Sequence, residues 1–461
     1  MKVTFIGGGS YRILPIVRGV LAEKRVLRGG EVRLYDLDLA RAEAVGRMIM
    51  KTPEYKEVRC KVMWTTSLEQ ALDGTEAVQV GFAVGSPLVN QLSAIASRKH
   101  GFMSSDQLSP TGAFLALTAG PTILGFARKM EKLCPDAWFL IFANPVAVYS
   151  GLVNNHTKIR ALGICAGFRN HMWDLTRLMG RDEERNEYDL EVAGVNHLSF
   201  ILRGRFRGED LYEVLGRYCT KEWKPPAIDP KNWLKKHIID ALRRLVWMYQ
   251  RFGVVIFSTE GDGMAHLFLE DMYEPKRQQE PTMAQIRAEI RKSAAARAAL
   301  DAEFQSLAQR DLEPEFWASP PRPHIFDRQD NDITVTILKG LGGAGPQRIV
   351  TSRPSGGEVE GFKARTVLEY SQLIGPHGIE PYGKLAVPDV FHGLVSALAT
   401  HQTLLGDAIA SQDPRLLYHA LYAYPVKHDT KASRSLFRDL LKIHAEEIPK
   451  NFQKTADYFR A

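Results

Sequence analysis

The chain has 461 residues, 45% of them hydrophobic and 25% charged, with 60 Lys plus Arg against 53 Asp plus Glu. That composition excludes disordered, collagen-like and disulfide-framework classes, and at roughly 100–200 residues per domain the length suits two to three domains or one large two-lobed enzyme. The formal charge of +7 is mild over this length and gathers into no basic run, so neither nucleic acid nor a membrane surface is indicated as a partner, while an anionic small substrate is compatible.

No apolar run approaches the ~18–20 residues of a membrane helix, and the N-terminus lacks the layout of a secretory signal. A cytoplasmic location is expected. Cys60, Cys134, Cys165 and Cys219 form no Cys-x-x-Cys pair, as expected of free thiols in a reducing compartment. A functional cysteine here would be a ligand or a nucleophile, the commoner alternative being inert packing.

Lys2–Ile6 (KVTFI) reads as a buried strand, followed at once by Gly7-Gly8-Gly9-Ser10 and then by the helix-like segment Ile13–Leu21. A second strand, Glu31–Tyr35, ends at Asp36. In such a strand, glycine turn, helix, strand and acid arrangement, backbone N–H groups approach a pyrophosphate at the helix N-terminus and the acid accepts from a ribose hydroxyl. The alternative is an ordinary tight turn. Asp36 favours NAD over NADP, because a carboxylate repels a 2′-phosphate. Arg12 occupies the third glycine position of the fingerprint, so close helix–strand packing must be achieved differently there.

Ala77–Ala83, Trp138–Phe142 and Arg160–Cys165 read as further parallel strands, with a helical stretch Phe114–Leu133 interrupted at Gly120-Pro121. Strands and helices in this order specify an α/β fold with a doubly wound parallel sheet, whose ligand lies at the carboxyl ends of the strands. Asn144-Pro145 and Cys165 fall at that edge. Beyond about residue 200 the pattern turns to helical stretches, Trp233–Arg251 and Met283–Gln309, separated by the Pro- and charge-rich segment Glu274–Pro281. A strand-like run, Ile333–Leu338, precedes a break at Gly340–Gly345 and a helical C-terminal portion. The expected division is a Rossmann-like domain, residues 1–197, and an α-rich mixed substrate and oligomerisation domain, residues 198–461, with the site at their junction.

Three stretches carry polar groups in apolar surroundings: GICAGF with Cys165, GVNHLSF with Asn196 and His197, and STEGDGMAHLF with Asp262 and His266. A thiolate and an imidazole can share a transition metal whose remaining positions take substrate oxygens. Cys165 and His197 are too far apart in sequence for a metal-finger spacing, so spacing alone does not pair them, and a His beside an Asn is commonly a hydrogen-bonded core or loop residue.

FIGGGS, DQLSPTGAF (106–114), ARKMEKLCPDAWFLIFANPVAV (127–148), the Cys165 stretch and GVNHLSF together resemble the NAD- and metal-dependent glycoside hydrolases of family 4, in order and spacing, over roughly residues 1–270. The C-terminal third resembles them more loosely. The family is related in fold to lactate and malate dehydrogenases. The resemblance implies that Cys165 and His197 hold a divalent metal, usually manganese, that Gly7, Gly8, Gly9, Ser10 and Asp36 hold NAD, and that Asn144 and Asn196 contact substrate hydroxyls or the nicotinamide. Either asparagine could instead tie down a loop. For the base it leaves two candidates: Asp262, in a GDGMAH stretch resembling the GDRH-like motif of aspartate users, and Tyr249, as in the tyrosine users. Ala166, directly after the cysteine, departs from the Asn, Asp or His of the family, and a methyl group cannot protonate a leaving group.

The implied reaction is cleavage of a small-molecule glycoside by transient oxidation at C3, deprotonation at C2, elimination and water addition, in a homodimer or homotetramer. The alternative is a dehydrogenase of a hydroxy acid or sugar alcohol with net NADH production. A non-catalytic NAD sensor would have no need of Cys165, His197 and Asp262 together.

Overall fold

Runs rich in β-branched and aromatic residues that are apolar on both faces suit parallel strands covered by helices. In the computed structural model, which describes residues 1–82, 85–180, 188–225, 233–257, 261–264, 266, 280–380 and 382–460, those runs become β1 (Lys2–Ile6), β2 (Glu31–Tyr35), β3 (Lys61–Thr65), β4 (Ala77–Val80), β5 (Trp138–Ile141) and β6 (Arg160–Gly163). They pair in parallel in the order β3-β2-β1-β4-β5-β6. The strand order reverses between β1 and β4, and the crevice at the carboxyl ends there is where such sheets take a dinucleotide.

The second half extends this sheet. Among the described residues it adds β7 (Tyr188–Val195), β8 (Leu198–Phe206), β9 (Glu209–Asp210), β10 (Val255–Ile256), β11 (Gln347–Pro354), β12 (Val367–Gly375) and β13 (Gly378–Glu380). β11 joins β6 through Ser352 opposite Gly163, and the order continues β12-β7-β8-β10, all antiparallel. One apolar core packs the helices Pro110–Leu133, Val146–His156 and Asp389–Ser411 on one side of the sheet; another packs Ile13–Ala22, Leu39–Lys51 and Ile333–Leu341 on the other. The 197/198 position falls at the turn of the β7–β8 hairpin.

Four expectations are corrected here. Ile333–Leu338 is helical, part of Ile333–Leu341: the Asp332 side chain caps it by accepting from Thr334 N at 2.8 Å, and burial lets a helix be apolar on most sides and so mimic a strand. The stretch at Gly120-Pro121 is not interrupted, since Pro110–Leu133 is one helix with Pro121 inside it. That helix is long and apolar enough to cross a membrane by length and composition, but 67% of its apolar window is buried inside the fold, as in a core helix. The second half carries more strand than its helical pattern suggested, because β8, β11 and β12 bury polar residues such as Ser199, Thr351 and Glu369 among apolar ones and so lack a clean two-residue alternation. Of Glu274–Pro281, residues 274–279 lie outside the described residues, as does Ala83 at the end of the expected fourth strand.

Candidate active site

The glycine turn after β1 is shaped by contacts that exclude side chains. Gly7 has φ 87°, and a Cβ there would stand 2.7 Å from the Gly81 carbonyl oxygen. The N–H groups of Gly7 and Gly8 both donate to the Tyr35 carbonyl, at 3.0 and 2.7 Å. Asp36 accepts from Gly9 N at 2.8 Å and Asp38 N at 3.0 Å, so the acid at the tip of β2 is held against the turn while each oxygen keeps acceptor capacity. The helix Ile13–Ala22 starts three residues past Ser10 without an acidic residue in its first turn and without a side-chain cap; Ser10 N donates to the Gly7 carbonyl and Ile13 N to the Ser10 carbonyl, each at 3.0 Å, so what the turn offers an anion is the positive end of the helix dipole. The Arg12 guanidinium lies 3.9 Å over the Phe142 ring and 3.1 Å from Asp332. This cradle fits a dinucleotide.

Cys165 lies two residues past β6, and Gly167 N, at the start of the helix Gly167–Leu178, donates to its sulfur at 3.3 Å. His197 sits in the two-residue turn between β7 and β8 at φ 69°, a left-handed conformation uncommon for a residue with a side chain. The turn brings its Nε2 to 3.7 Å from Cys165 Sγ. Ligand bonds of about 2.3 Å to sulfur and about 2.0–2.1 Å to nitrogen, meeting at a tetrahedral angle, separate two donors by about 3.5 Å, so the pair fits one divalent ion. Among the described residues no third His, Cys, Asp or Glu completes a cluster, which leaves the other positions to oxygens of a ligand or water. The other three thiols are inert packing groups: burial pushes Cys60 and Cys134 up to about 11 and Cys219 up to about 12.

Behind His197 lies Asp262. Its carboxylate accepts from His197 Nδ1 at 2.9 Å, Ser105 Oγ at 2.7 Å and Leu108 N at 3.4 Å. Burial alone would raise this carboxyl; the charge and hydrogen bond of His197, the Ser105 hydroxyl and nearby His266 outweigh it and hold the group far below the usual carboxylate range. Asp262 and His197 are buried, and so is His266, whose Nδ1 donates to the Asp262 carbonyl at 2.8 Å while the Tyr424 hydroxyl lies 2.9 Å from Nε2. Gly263 is required for this approach, because a Cβ there would lie 1.5 Å from the His197 carbonyl oxygen.

Two sets of amides flank the pair. Asn144, ahead of the cis peptide bond to Pro145, donates from Nδ2 to Asp106 Oδ2 at 2.7 Å and accepts from Gln107 Nε2 at 2.6 Å. Asn196 donates from Nδ2 to Glu369 Oε2 at 2.6 Å, and Ser199 Oγ donates to Glu369 Oε1 at 2.8 Å. Burial raises the Glu369 carboxyl above its ordinary value, by more than these two donors and the nearby His171 and His197 offset.

The sequence-derived candidates therefore divide. Cys165, His197 and Asp262 converge, and Asn196 adjoins them in the same turn; Gly7, Gly8, Gly9, Ser10 and Asp36 form the separate dinucleotide cradle. Tyr249 stands with other residues: its hydroxyl donates to the Tyr212 carbonyl at 3.4 Å and fills the space above Gly216. Ala166 is the N-cap residue of the helix Gly167–Leu178 and makes no side-chain cap. Ser105, Asp106, Gln107 and Glu369 were not singled out by the sequence reading. Two signals were available: a polar run ending at a Ser-Pro helix start, and a lone carboxylate in the apolar strand VLEYSQLIG.

Residues 2–180 match the family model described as Family 4 glycosyl hydrolase, and residues 192–426 match that of the Family 4 glycosyl hydrolase C-terminal domain. The α-galacturonidase of Thermoanaerobacter italicus is 24% identical over 450 residues, 92% of each chain. The α-galacturonidase of Thermoanaerobacterium saccharolyticum is 23% identical over 465 residues, 96% of this chain and 95% of that protein. A structure of the 6-phospho-β-glucosidase from Thermotoga maritima, solved with manganese, NAD+ and glucose-6-phosphate, superimposes with a TM-score of 0.73 at 18% identity, covering 97% of this chain and 99% of that one. It shares the fold: a Rossmann-like parallel sheet continued by a mixed, helix-rich C-terminal portion.

Proposed function

This chain belongs to family 4 of the glycosyl hydrolases, and we propose that it cleaves its glycoside with NAD and a divalent metal, through transient oxidation at C3, loss of the C2 proton, elimination and addition of water. The observation that carries this reading is the approach of Cys165 Sγ to His197 Nε2 at 3.7 Å, backed by Asp262. When bound, the dinucleotide supplies a hydride acceptor restored within each turnover, and the ion, manganese in the Thermotoga relative, supplies a Lewis acid.

The chain's own residues have the following tasks. The Gly7–Gly9 turn and Ser10 hold the pyrophosphate, and Asp36 accepts from the ribose. Cys165 and His197 hold the ion. Asn144 and Asn196 bind hydroxyls of the sugar or the nicotinamide side. Asp262 keeps His197 in place and, of the two candidate bases, is the one beside the pair, with one acceptor position left among about four; the contacts that fill the others also make it a weaker base than an ordinary carboxylate. Tyr249, the other candidate base, is engaged with Tyr212. A C–H beside a carbonyl yields to a modest base, whereas the same C–H beside an alcohol does not. The two-carboxylate arrangement of most glycosidases is therefore not needed. Ala166 offers no proton to the leaving group, which then takes one from water.

The substrate class we propose is an α-linked uronide, supported by the two galacturonidases that align with almost the whole chain. The working form we propose is a cytoplasmic homodimer or homotetramer. A panel of α- and β-glycosides, neutral, uronic and 6-phosphorylated, assayed with NAD, Mn2+ and a reducing agent, tests the reading. The expected result is hydrolysis of the α-galacturonide without accumulation of NADH and with a primary isotope effect from deuterium at C2. Cys165→Ser and His197→Ala each lose Mn2+ affinity and keep NAD affinity. Turnover that survives complete removal of NAD, or stoichiometric NADH, overturns it.

A further inference from the structure

The two ends of an asparagine amide are nearly equal in size, so packing does not choose between them; hydrogen bonding does. At Asn196 the choice is made by Glu369. Both oxygens of Glu369 serve as acceptors here, and it is Nδ2 of Asn196 that faces one of them, at 2.6 Å. The second carboxylate oxygen is taken by Ser199 Oγ at 2.8 Å. Strand pairing lines these groups up: Gly194 of β7 lies opposite Glu369 of β12 on one side and opposite Ser199 of β8 on the other. All three polar residues are buried, with Asn196 2% and Glu369 4% exposed. The consequence is at the other end of the amide, where Asn196 Oδ1 is buried without a hydrogen-bond partner among the described residues. A fold that buries a carbonyl acceptor unsatisfied, next to the residue that approaches Cys165, holds it for a donor that the described residues do not supply.

We propose that Glu369 is a positioning residue, which fixes the Asn196 amide with its carbonyl oxygen away from β12, so that this oxygen accepts a hydroxyl of the bound sugar. The proposal rests on the reading of the Cys165–His197 cleft as the sugar site. Glutamine in place of Glu369 keeps the shape but not the polarity, because its amide can face Asn196 with either end.

The test uses the full chain with NAD and Mn2+ and the glycoside of the panel that the unaltered enzyme cleaves. Glu369→Gln and Asn196→Ala are each expected to raise KM about tenfold, with kcat and Mn2+ affinity little changed, as for loss of a contact made equally in ground and transition states. The double variant is expected to be no weaker than Asn196→Ala, because both act on one contact. Ser199→Ala, which removes the other donor and leaves the polarity of Asn196, is expected to keep its KM and serves as the comparison should Glu369→Gln fail to fold. A wild-type KM in Glu369→Gln, additive losses in the double variant, or equal losses in Asn196→Ala and Ser199→Ala overturn the proposal. If these occur while Cys165→Ser still loses Mn2+ affinity, the reading of the cleft survives alone; if no glycoside of the panel is cleaved, both fall.

Discussion

The Asp262 carboxylate stands 2.9 Å from Nδ1 of His197, and the Cys165 sulfur stands 3.7 Å from Nε2 of the same ring. One imidazole thus joins a buried acid to a half-buried thiol. Donation from Nδ1–H to the acid directs the lone pair of Nε2 toward Cys165, the orientation that a metal-ligating histidine needs.

Replacing Asp262 by Asn removes the charge that holds this tautomer. Asp262→Asn is expected to weaken Mn2+ binding about 10- to 100-fold and to lower turnover with it, as for other carboxylates behind a ligating histidine. Titration calorimetry or the Mn2+ electron-spin signal measures the affinity. Lost turnover at unchanged Mn2+ affinity would confine Asp262 to proton removal.

Gly263→Ala tests the same pair from the backbone. Its methyl would fall 1.5 Å from the His197 carbonyl oxygen, so the short helix Gly261–Met264 must retreat and carry Asp262 with it. The expected outcome is a loss of about 1–3 kcal/mol of stability in denaturant titration, as for other overpacked sites, together with weakened Mn2+ binding and intact NAD binding. Unaltered Mn2+ affinity would separate the helix from the ion site.

Asp36 is expected to set cofactor choice. Asp36→Ala removes an acceptor held between Gly9 N and Asp38 N and should weaken NAD binding about 10- to 100-fold, as for a hydrogen bond to a charged group. NADP binding should weaken less or improve, since a carboxylate no longer faces the 2′-phosphate. Equal losses for both cofactors in fluorescence titration would contradict this.

Acid should destabilise the fold through two buried histidines, His401 and His444. Burial pushes His401 and His444 down to about 4 from an ordinary value of 6.5. His401 Nδ1 donates to the Ala420 carbonyl at 2.7 Å, and His444 Nε2 pairs with Ser93 Oγ at 2.5 Å. Each folded-state value lies below the unfolded one, so the unfolded chain binds the proton first as pH falls. Their contribution is full above about pH 6.5 and is lost between there and about pH 4, at about 3 kcal/mol per group. His444→Gln should flatten the fall in melting temperature over that range; an unchanged slope would remove His444 from the account.

Much of the dinucleotide half could be read from the chain itself. β1 and β2 lie where KVTFI and EVRLY suggested, because a strand covered on both faces is a short continuous apolar run bounded by turns. Ile333–Leu341 shows the limit of that signal, since a buried helix is also a continuous apolar run and only its Asp332 cap tells them apart. Glu369 was readable as an oddity, a charge in a buried strand, but not as a partner of Asn196.

The sequence by itself determined the parallel sheet and the glycine turn with Asp36, because each is a local pattern of residue type and spacing, whereas Cys165, His197 and Asp262 stood out only as polar groups in apolar stretches. Which of those residues meet was decided only by the tertiary structure. Cys165 lies 32 residues before His197, Asp262 lies 65 after it, and Glu369 lies 173 after Asn196. The turn between β7 and β8, and the pairing of β12 beside β7, close those separations. Contacts of that kind come from strand order and burial, which no local pattern encodes.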